Sequence, residues 1–128
     1  MSTRVTFLQH SELDVPGVLG RLARDAGCEV RVCRADGGAS SLPAVGSIGV
    51  LVVLGSDASV TDASVPWIGP ERSLVAGAVA GGVPVLGVCF GGQLLAQVLG
   101  GEVSEWLRDV AGVGVYGGST ARDMAQDV

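Results

Sequence analysis

The sequence has few of the residues that mark several large classes of protein. Its 128 residues include one histidine, three cysteines, no lysine and only 4% aromatic residues. No Cys-x-x-Cys pair or cysteine–histidine spacing is present, which argues against a zinc site and against a secreted disulfide scaffold. No apolar run approaches the roughly 18 residues of a membrane span, and the first residues do not form a signal-peptide core. We therefore expect a cytoplasmic protein with free thiols.

The charge balance is acidic and charged residues are few. The net charge is -5, with 16% charged and 48% hydrophobic residues. An acidic chain is repelled by the phosphate backbone, so nucleic-acid binding is not expected. High apolar content with little charge argues against disorder. The length fits a single domain of about 100–150 residues with a sizeable core.

Apolar runs alternate with helical patterns along the first hundred residues. The predicted strands are Arg4–Gln9, Cys28–Cys33, Ile48–Leu54 and Val83–Val88. Helical spacing follows the first strand and ends near Gly27, a second helix begins around Pro70 and Glu71, and a third spans Gly91–Leu99. Continuous apolar strands separated by helices predict a parallel sheet covered on both faces. We expect a three-layer, doubly wound, mostly parallel α/β fold of the flavodoxin type.

In such a sheet, ligands bind beyond the carboxyl ends of the strands. Three of the predicted strands end just before His10, Gly55 and Cys89, so these residues are expected at one edge. The edge is therefore the predicted location of the site.

The chain after Ser104 differs in character, so we divide it into residues 1–104 and a divergent tail, 105–128. The tail has a short amphipathic run that includes Trp106, then a glycine-rich run, 112–118, then a polar end. It continues no clear α/β alternation, and the glycine-rich run lacks the Gly-Lys-Ser/Thr of a phosphate-binding loop. We expect a domain truncated in its C-terminal part, whose missing strands would leave an exposed edge and favour a homodimer.

The motif that carries chemistry is Gly87-x-Cys89-x-Gly91, between a predicted strand and a predicted helix. It is the sulfur version of a nucleophile elbow, a turn so sharp that bulk two residues before or after the nucleophile would clash. The positive end of the following helix favours the thiolate form of the cysteine. The backbone N–H of Phe90 would face a developing oxyanion. The alternative is a buried core cysteine beside a glycine-rich turn.

The same stretch resembles the nucleophile block of class I (triad-type) glutamine amidotransferases. The resemblance rests on Pro84-Val-Leu-Gly-Val-Cys-Phe-Gly-Gly-Gln-Leu-Leu-Ala, followed by Leu99-Gly-Gly-Glu-Val. Supporting similarities are Leu51-Val-Val-Leu-Gly and the later Pro66-Trp67 and Glu71. The opening Phe7-Leu-Gln-His resembles stand-alone members related to the amidotransferase domain of GMP synthase. The likeness covers roughly residues 4–104.

The resemblance implies hydrolysis of the glutamine side-chain amide through a cysteine thioester, with ammonia passed to an acceptor on another domain or subunit. Cys89 would be the nucleophile. Phe90 and the backbone around Gly55 would form the oxyanion hole, and Gln93 and Gly91 would contact the substrate glutamine. No cofactor or metal is implied.

The sequence departs from the family pattern at three positions that matter for this expectation. The loop after the third strand usually reads Gly-Gly-Pro and here is Gly55-Ser56-Asp57, so an extra negative charge lies near the oxyanion site. Phe90 stands where a smaller aliphatic residue is common. The family's catalytic His and Glu lie downstream as His-x-Glu, and no histidine follows His10. Because general acid–base help is worth about 10²–10⁴-fold, we expect slow turnover from this chain alone.

His10 lies at the correct edge to act as a base, but a structural role is the preferred interpretation. Cys28 and Cys33 are interpreted as packing residues on opposite faces of a strand. Asp57 and Asp62 are interpreted as solvated loop carboxylates. The functional alternatives are an inactive remnant or interaction domain, a γ-glutamyl hydrolase, and a DJ-1/PfpI-type cysteine hydrolase. Gln93 and the leucines after it argue against the last of these.

Overall fold

The computed structural model describes residues 3–100 and 113–116. Its regular elements, in chain order, are β1 (Arg4–Gln9), α1 (Gly17–Asp25), β2 (Glu29–Arg34), β3 (Val50–Val53), α2 (Ile68–Ala80), β4 (Val85–Val88), α3 (Phe90–Val98) and β5 (Val113–Tyr116). Three single 3-10 turns occupy most of the segment between β2 and β3.

The strands form one sheet in the order β2-β1-β3-β4-β5. The pairs β1–β2, β1–β3 and β3–β4 are all parallel. From β1 the chain passes to β2 on one side and then returns to place β3 and β4 on the other side. This change of direction is the mark of a doubly wound sheet. The predicted α/β architecture is confirmed.

Apolar side chains fill both faces of this sheet. One cluster joins Leu8 and Val53 to the inner sides of α2 and α3. The other joins Phe7 and Val52 to Leu19 of α1. Since successive strand residues point to opposite faces, α1 covers one face while α2 and α3 cover the other, which gives the three layers expected.

Among the described strands and α-helices, β5 is the one that the sequence pattern did not predict. It pairs antiparallel with β4, from Val85 opposite Tyr116 to Val88 opposite Val113. Four residues flanked and interrupted by glycines give only a weak strand signal. An antiparallel strand also needs no crossover helix, so no helical pattern before it indicates its presence. The amphipathic run at Trp106 and the rest of the tail lie outside the described residues.

Gly27 and Gly82 each follow a helix in the left-handed conformation that favours glycine. Gly27 has φ +83 just after α1, where the helical spacing is predicted to end, and Gly82 has φ +75 just after α2. Both positions let the chain reverse tightly into the next strand. Within the described residues, no helix is long and apolar enough to cross a bilayer.

Candidate active site

Register across the sheet aligns the ends of three neighbouring strands. Leu8 of β1 lies opposite Val53 of β3, and Val53 lies opposite Gly87 of β4. Two residues further along each chain segment are His10, Gly55 and Cys89. Because the strands are parallel, these three residues leave the sheet at the same level of its carboxyl edge. The predicted grouping at one edge is thus present.

Cys89 stands at the turn between β4 and α3 in a strained backbone conformation. Its φ of 51° and ψ of -110° make it the non-glycine residue with positive φ among the described residues. A conformation of this kind costs roughly 1–3 kcal/mol and persists only where the surroundings impose it. The sharp strand-to-helix turn is the backbone geometry of a nucleophile elbow.

The two glycines of the motif allow this turn by close backbone contact. A Cβ on Gly91 would overlap the carbonyl oxygen of Val53 and lie 2.7 Å from its carbonyl carbon. A Cβ on Gly87 would overlap the carbonyl oxygen of Gly91 and lie 2.6 Å from the nitrogen of Gly92. Helix α3 therefore reaches the sheet edge only because side chains are missing at both positions. Whether Gly91 also contacts a substrate stays a prediction.

The backbone groups around Cys89 suit a developing negative charge. Phe90 is the first residue of α3, and the first N–H groups of a helix have no partner within it. A Cβ on Gly55 would lie 3.8 Å from the Cβ of Cys89, so the loop after β3 borders Cys89 directly. Gln93 lies one turn into α3, where its backbone N–H donates to the Cys89 carbonyl over 3.0 Å. Phe90, Gly91 and Gln93 therefore lie in the first turn of α3, directly after Cys89, and Gly55 borders Cys89 from the loop after β3.

A buried His10–Glu71 pair lies beside this point. The Nε2 atom of His10 is 2.6 Å from Oε1 of Glu71, and both side chains are fully buried. The other ring nitrogen, Nδ1, is 3.0 Å from the carbonyl oxygen of Gly55. Both nitrogens of the imidazole are thus engaged within the protein, which agrees with the structural role preferred for His10.

Aromatic rings hold the imidazole in place. Trp67 stacks on it with ring centroids 5.1 Å apart, and Phe90 meets it edge-on at 4.9 Å. Trp67 and Phe90 also contact each other at 5.6 Å. The ring of Phe90 therefore has a packing function in addition to the proposed function of its backbone N–H.

Sequence reasoning missed the buried contact of Glu71, which it named only at the start of a predicted helix and among the family similarities. The spacing carried a signal: Glu71 lies three residues after Ile68 and four before Val75, on the buried face of α2. A carboxylate on an apolar helix face needs a buried partner. The single histidine of the chain, placed just after a strand, is that partner.

The remaining candidates are two loop carboxylates and two further cysteines. Asp57 is exposed, and Asp62 accepts hydrogen bonds from Ser64, whose hydroxyl lowers the pKa of that carboxyl. Cys33 packs in the cluster under α2 and α3, whereas Cys28 packs in the cluster under α1. The two cysteines therefore face opposite layers, as predicted, and all three thiols are free.

Comparison with known proteins places these features in a family. The sequence profile described as "Glutamine amidotransferase class-I" matches residues 15–124. A solved glutamine amidotransferase from Methylobacillus flagellatus is 36% identical, with a TM-score of 0.73 over 81% of this chain and 41% of that one. One from Thermotoga maritima is 22% identical, with a TM-score of 0.71 over 78% and 44%. No curated protein matches. The chain thus spans less than half the length of these solved structures.

Proposed function

Because the chain belongs to the class I glutamine amidotransferases, we propose that it attacks the side-chain amide of glutamine through Cys89. The family membership and the α/β fold are established by the comparisons, and the assignment of individual residues is our proposal. The observation that carries it is the strained elbow, in which Cys89 has positive φ at the N-terminus of α3. Strain of this kind is kept where a side chain must be presented.

The proposed chemistry follows from the groups around Cys89. The thiolate adds to the amide carbon, and the carbonyl oxygen takes up the negative charge. The N–H of Phe90 and the backbone beside Gly55 stabilise that charge. Collapse of the adduct breaks the C–N bond, a proton goes to the departing nitrogen, and ammonia leaves a γ-glutamyl thioester. Attack by water then releases glutamate and restores the thiol. Gln93 and Gly91 are proposed to contact the glutamine.

The proton for the leaving nitrogen has no evident donor among the side chains described here. The single histidine has both ring nitrogens occupied, by Glu71 and by the Gly55 carbonyl. General acid–base catalysis contributes about 10²–10⁴-fold, so turnover of an unactivated amide by this chain is expected to be slow. This observation favours a second candidate function, which is an inactive remnant or interaction domain that does not hydrolyse glutamine. We also propose that ammonia passes to an acceptor on a partner domain or subunit, that the chain forms a homodimer, and that it is cytoplasmic.

The deciding experiment measures ammonia released from glutamine by the purified chain and by Cys89→Ala. Release that is lost in the variant supports the glutaminase. Circular dichroism of both proteins shows that they are folded. Ammonia release that is equal in the two proteins, or absent from both while they are folded, contradicts catalysis by this chain. That result would favour the inactive remnant or interaction domain. The γ-glutamyl hydrolase alternative predicts instead that a γ-glutamyl peptide is cleaved faster than glutamine.

A further inference from the structure

The hydrogen bonds of His10 determine where its hydrogens lie. A carbonyl oxygen only accepts, so the 3.0 Å contact with Gly55 requires a hydrogen on Nδ1. The 2.6 Å contact between Nε2 and Glu71 then needs one further hydrogen, carried by the imidazole or by the carboxyl group. Either way, the pair is neutral overall and His10 is a fixed donor to the loop after β3. A general base would instead need a free lone pair facing the reacting atoms.

This donor fixes the direction of one peptide group. In a trans peptide the C=O and the N–H point in opposite directions. The Gly55 carbonyl points to the buried ring of His10, so the N–H of Ser56 in the same peptide points away from the core. Gly55 borders Cys89. The peptide that follows it therefore presents a donor from the loop that lies next to the nucleophile, and the bond to Nδ1 polarises that donor.

We propose that His10 and Glu71 are positioning residues, which orient the Gly55–Ser56 peptide so that its N–H stabilises the oxyanion formed at Cys89. The chain of contacts runs from Glu71 to His10 to the Gly55 carbonyl, and Trp67 and Phe90 prevent the ring from rotating. This inference rests on the proposed function. It also accounts for a fully buried carboxylate whose only hydrogen-bond partner among the described residues is the histidine.

The test separates oxyanion stabilisation from thiol reactivity. Reaction of Cys89 with p-nitrophenyl acetate forms an acetyl thioester and releases p-nitrophenolate, which leaves without help from an acid. Its transition state bears an oxyanion. Alkylation by iodoacetamide displaces iodide from a saturated carbon and forms no oxyanion, so it reports only the state and accessibility of the thiol. Cys89→Ala supplies the background for both reactions.

Two double variants distinguish the two nitrogens of His10 while leaving no unpaired buried charge. His10→Asn with Glu71→Gln places an amide nitrogen near the position of Nδ1 and keeps a donor to Gly55. His10→Gln with Glu71→Gln places the amide near the position of Nε2, keeps the contact with residue 71 and loses the donor to Gly55. Loss of one oxyanion donor costs about 10²–10³-fold in rate. In the second variant the Ser56 N–H is no longer held in its orientation, so acylation should slow about tenfold or more. The first should stay within about threefold of wild type.

Iodoacetamide alkylation should differ by less than about threefold across the wild type and both variants, because it needs no oxyanion donor. Equal acylation by the two double variants, or a parallel fall in acylation and alkylation, overturns the positioning role. Absence of Cys89-dependent acylation in the wild type contradicts the proposed function as well. Failure of the proposed function is therefore distinguished from failure of the positioning role alone.

A second measurement needs no variant. The chain has one histidine, so its imidazole nitrogen signals are assigned without mutagenesis. Nitrogen-15 NMR of the folded wild-type chain should show a hydrogen on Nδ1. A lone pair on that nitrogen would overturn the proposal, even if neither double variant folds.

Discussion

Replacement of Gly91 by alanine tests whether close backbone packing builds the elbow. The added Cβ would overlap the carbonyl oxygen of Val53 and lie 2.7 Å and 2.8 Å from two of its carbon atoms. Ordinary contacts of this kind start at 3.4 Å, so α3 would have to move by more than about 0.7 Å, because the carbonyl oxygen is closer still than the carbonyl carbon. Val53 is fully buried on β3, which is held between β1 and β4. The strand therefore cannot yield at low cost.

The expected loss of stability is large for one methyl group. Overpacking commonly costs about 1–3 kcal/mol, and contact with the backbone of a central strand places Gly91→Ala at about 3 kcal/mol. For a domain of this size, that loss corresponds to a fall in Tm of roughly 10 °C. The same displacement would move Cys89 and the N–H of Phe90, so reactivity of the thiol should fall with stability.

Gly69→Ala is the matched control, because it makes the same change in another helix. Gly69 is exposed in the first turn of α2, and apart from its chain neighbours nothing lies within 4 Å of the position of its Cβ. Alanine gains helix propensity there, but Pro70 disfavours a helical conformation in a preceding residue that carries a Cβ, so the free energy of unfolding should stay within about 1 kcal/mol of wild type. Urea unfolding followed by circular dichroism measures both free energies of unfolding. Equal values for the two variants would refute the argument that contact with Val53 requires glycine at position 91.

Two further predictions concern the thiols and one surface ion pair. Cys28, Cys33 and Cys89 are all half-buried, so exposure alone predicts similar rates. The helix N-terminus predicts faster iodoacetamide labelling of Cys89, which peptide mapping would show, and equal labelling would contradict an activated thiol. Hydrogen bonds from the Arg34 guanidinium lower the pKa of Asp36 below 3.8. The charged pair therefore stabilises the fold above that value and loses its effect as the pH falls through the lowered pKa. The Tm advantage of wild type over Asp36→Asn should be present at neutral pH and vanish in acid, and an advantage independent of pH would contradict this assignment.

The sequence predicted the strands well where burial coincides with backbone pairing. The predicted and observed limits of β1 are the same, Arg4–Gln9. For β3 the apolar run Ile48–Leu54 is longer than the strand, Val50–Val53, because Ile48 and Leu54 are buried on either side of it. Hydropathy measures burial, and burial extends beyond the residues that have strand geometry.

The elbow at Cys89 was predicted from residue spacing, whereas the His10–Glu71 pair beside it was not. Glycines two residues before and after a cysteine indicate a sharp turn, because sterics act over short distances in the chain. The His10–Glu71 contact joins residues 61 positions apart. It depends on how α2 packs over the sheet, which no local pattern encodes. Only the position of Glu71 on an apolar helix face hinted that its carboxyl group needed a buried partner.

The geometry separates the steps of the proposed reaction. Formation of a thioester needs a nucleophile and donors for the oxyanion, and the groups proposed for both lie at the aligned ends of β3 and β4. Release of ammonia needs in addition a group that gives up a proton, and the single imidazole is already committed on both nitrogens. An ester with a good leaving group avoids that second requirement, whereas glutamine does not. The structure therefore predicts a wide gap between acylation by an activated ester and turnover of glutamine, and Cys89 is the residue on which both depend.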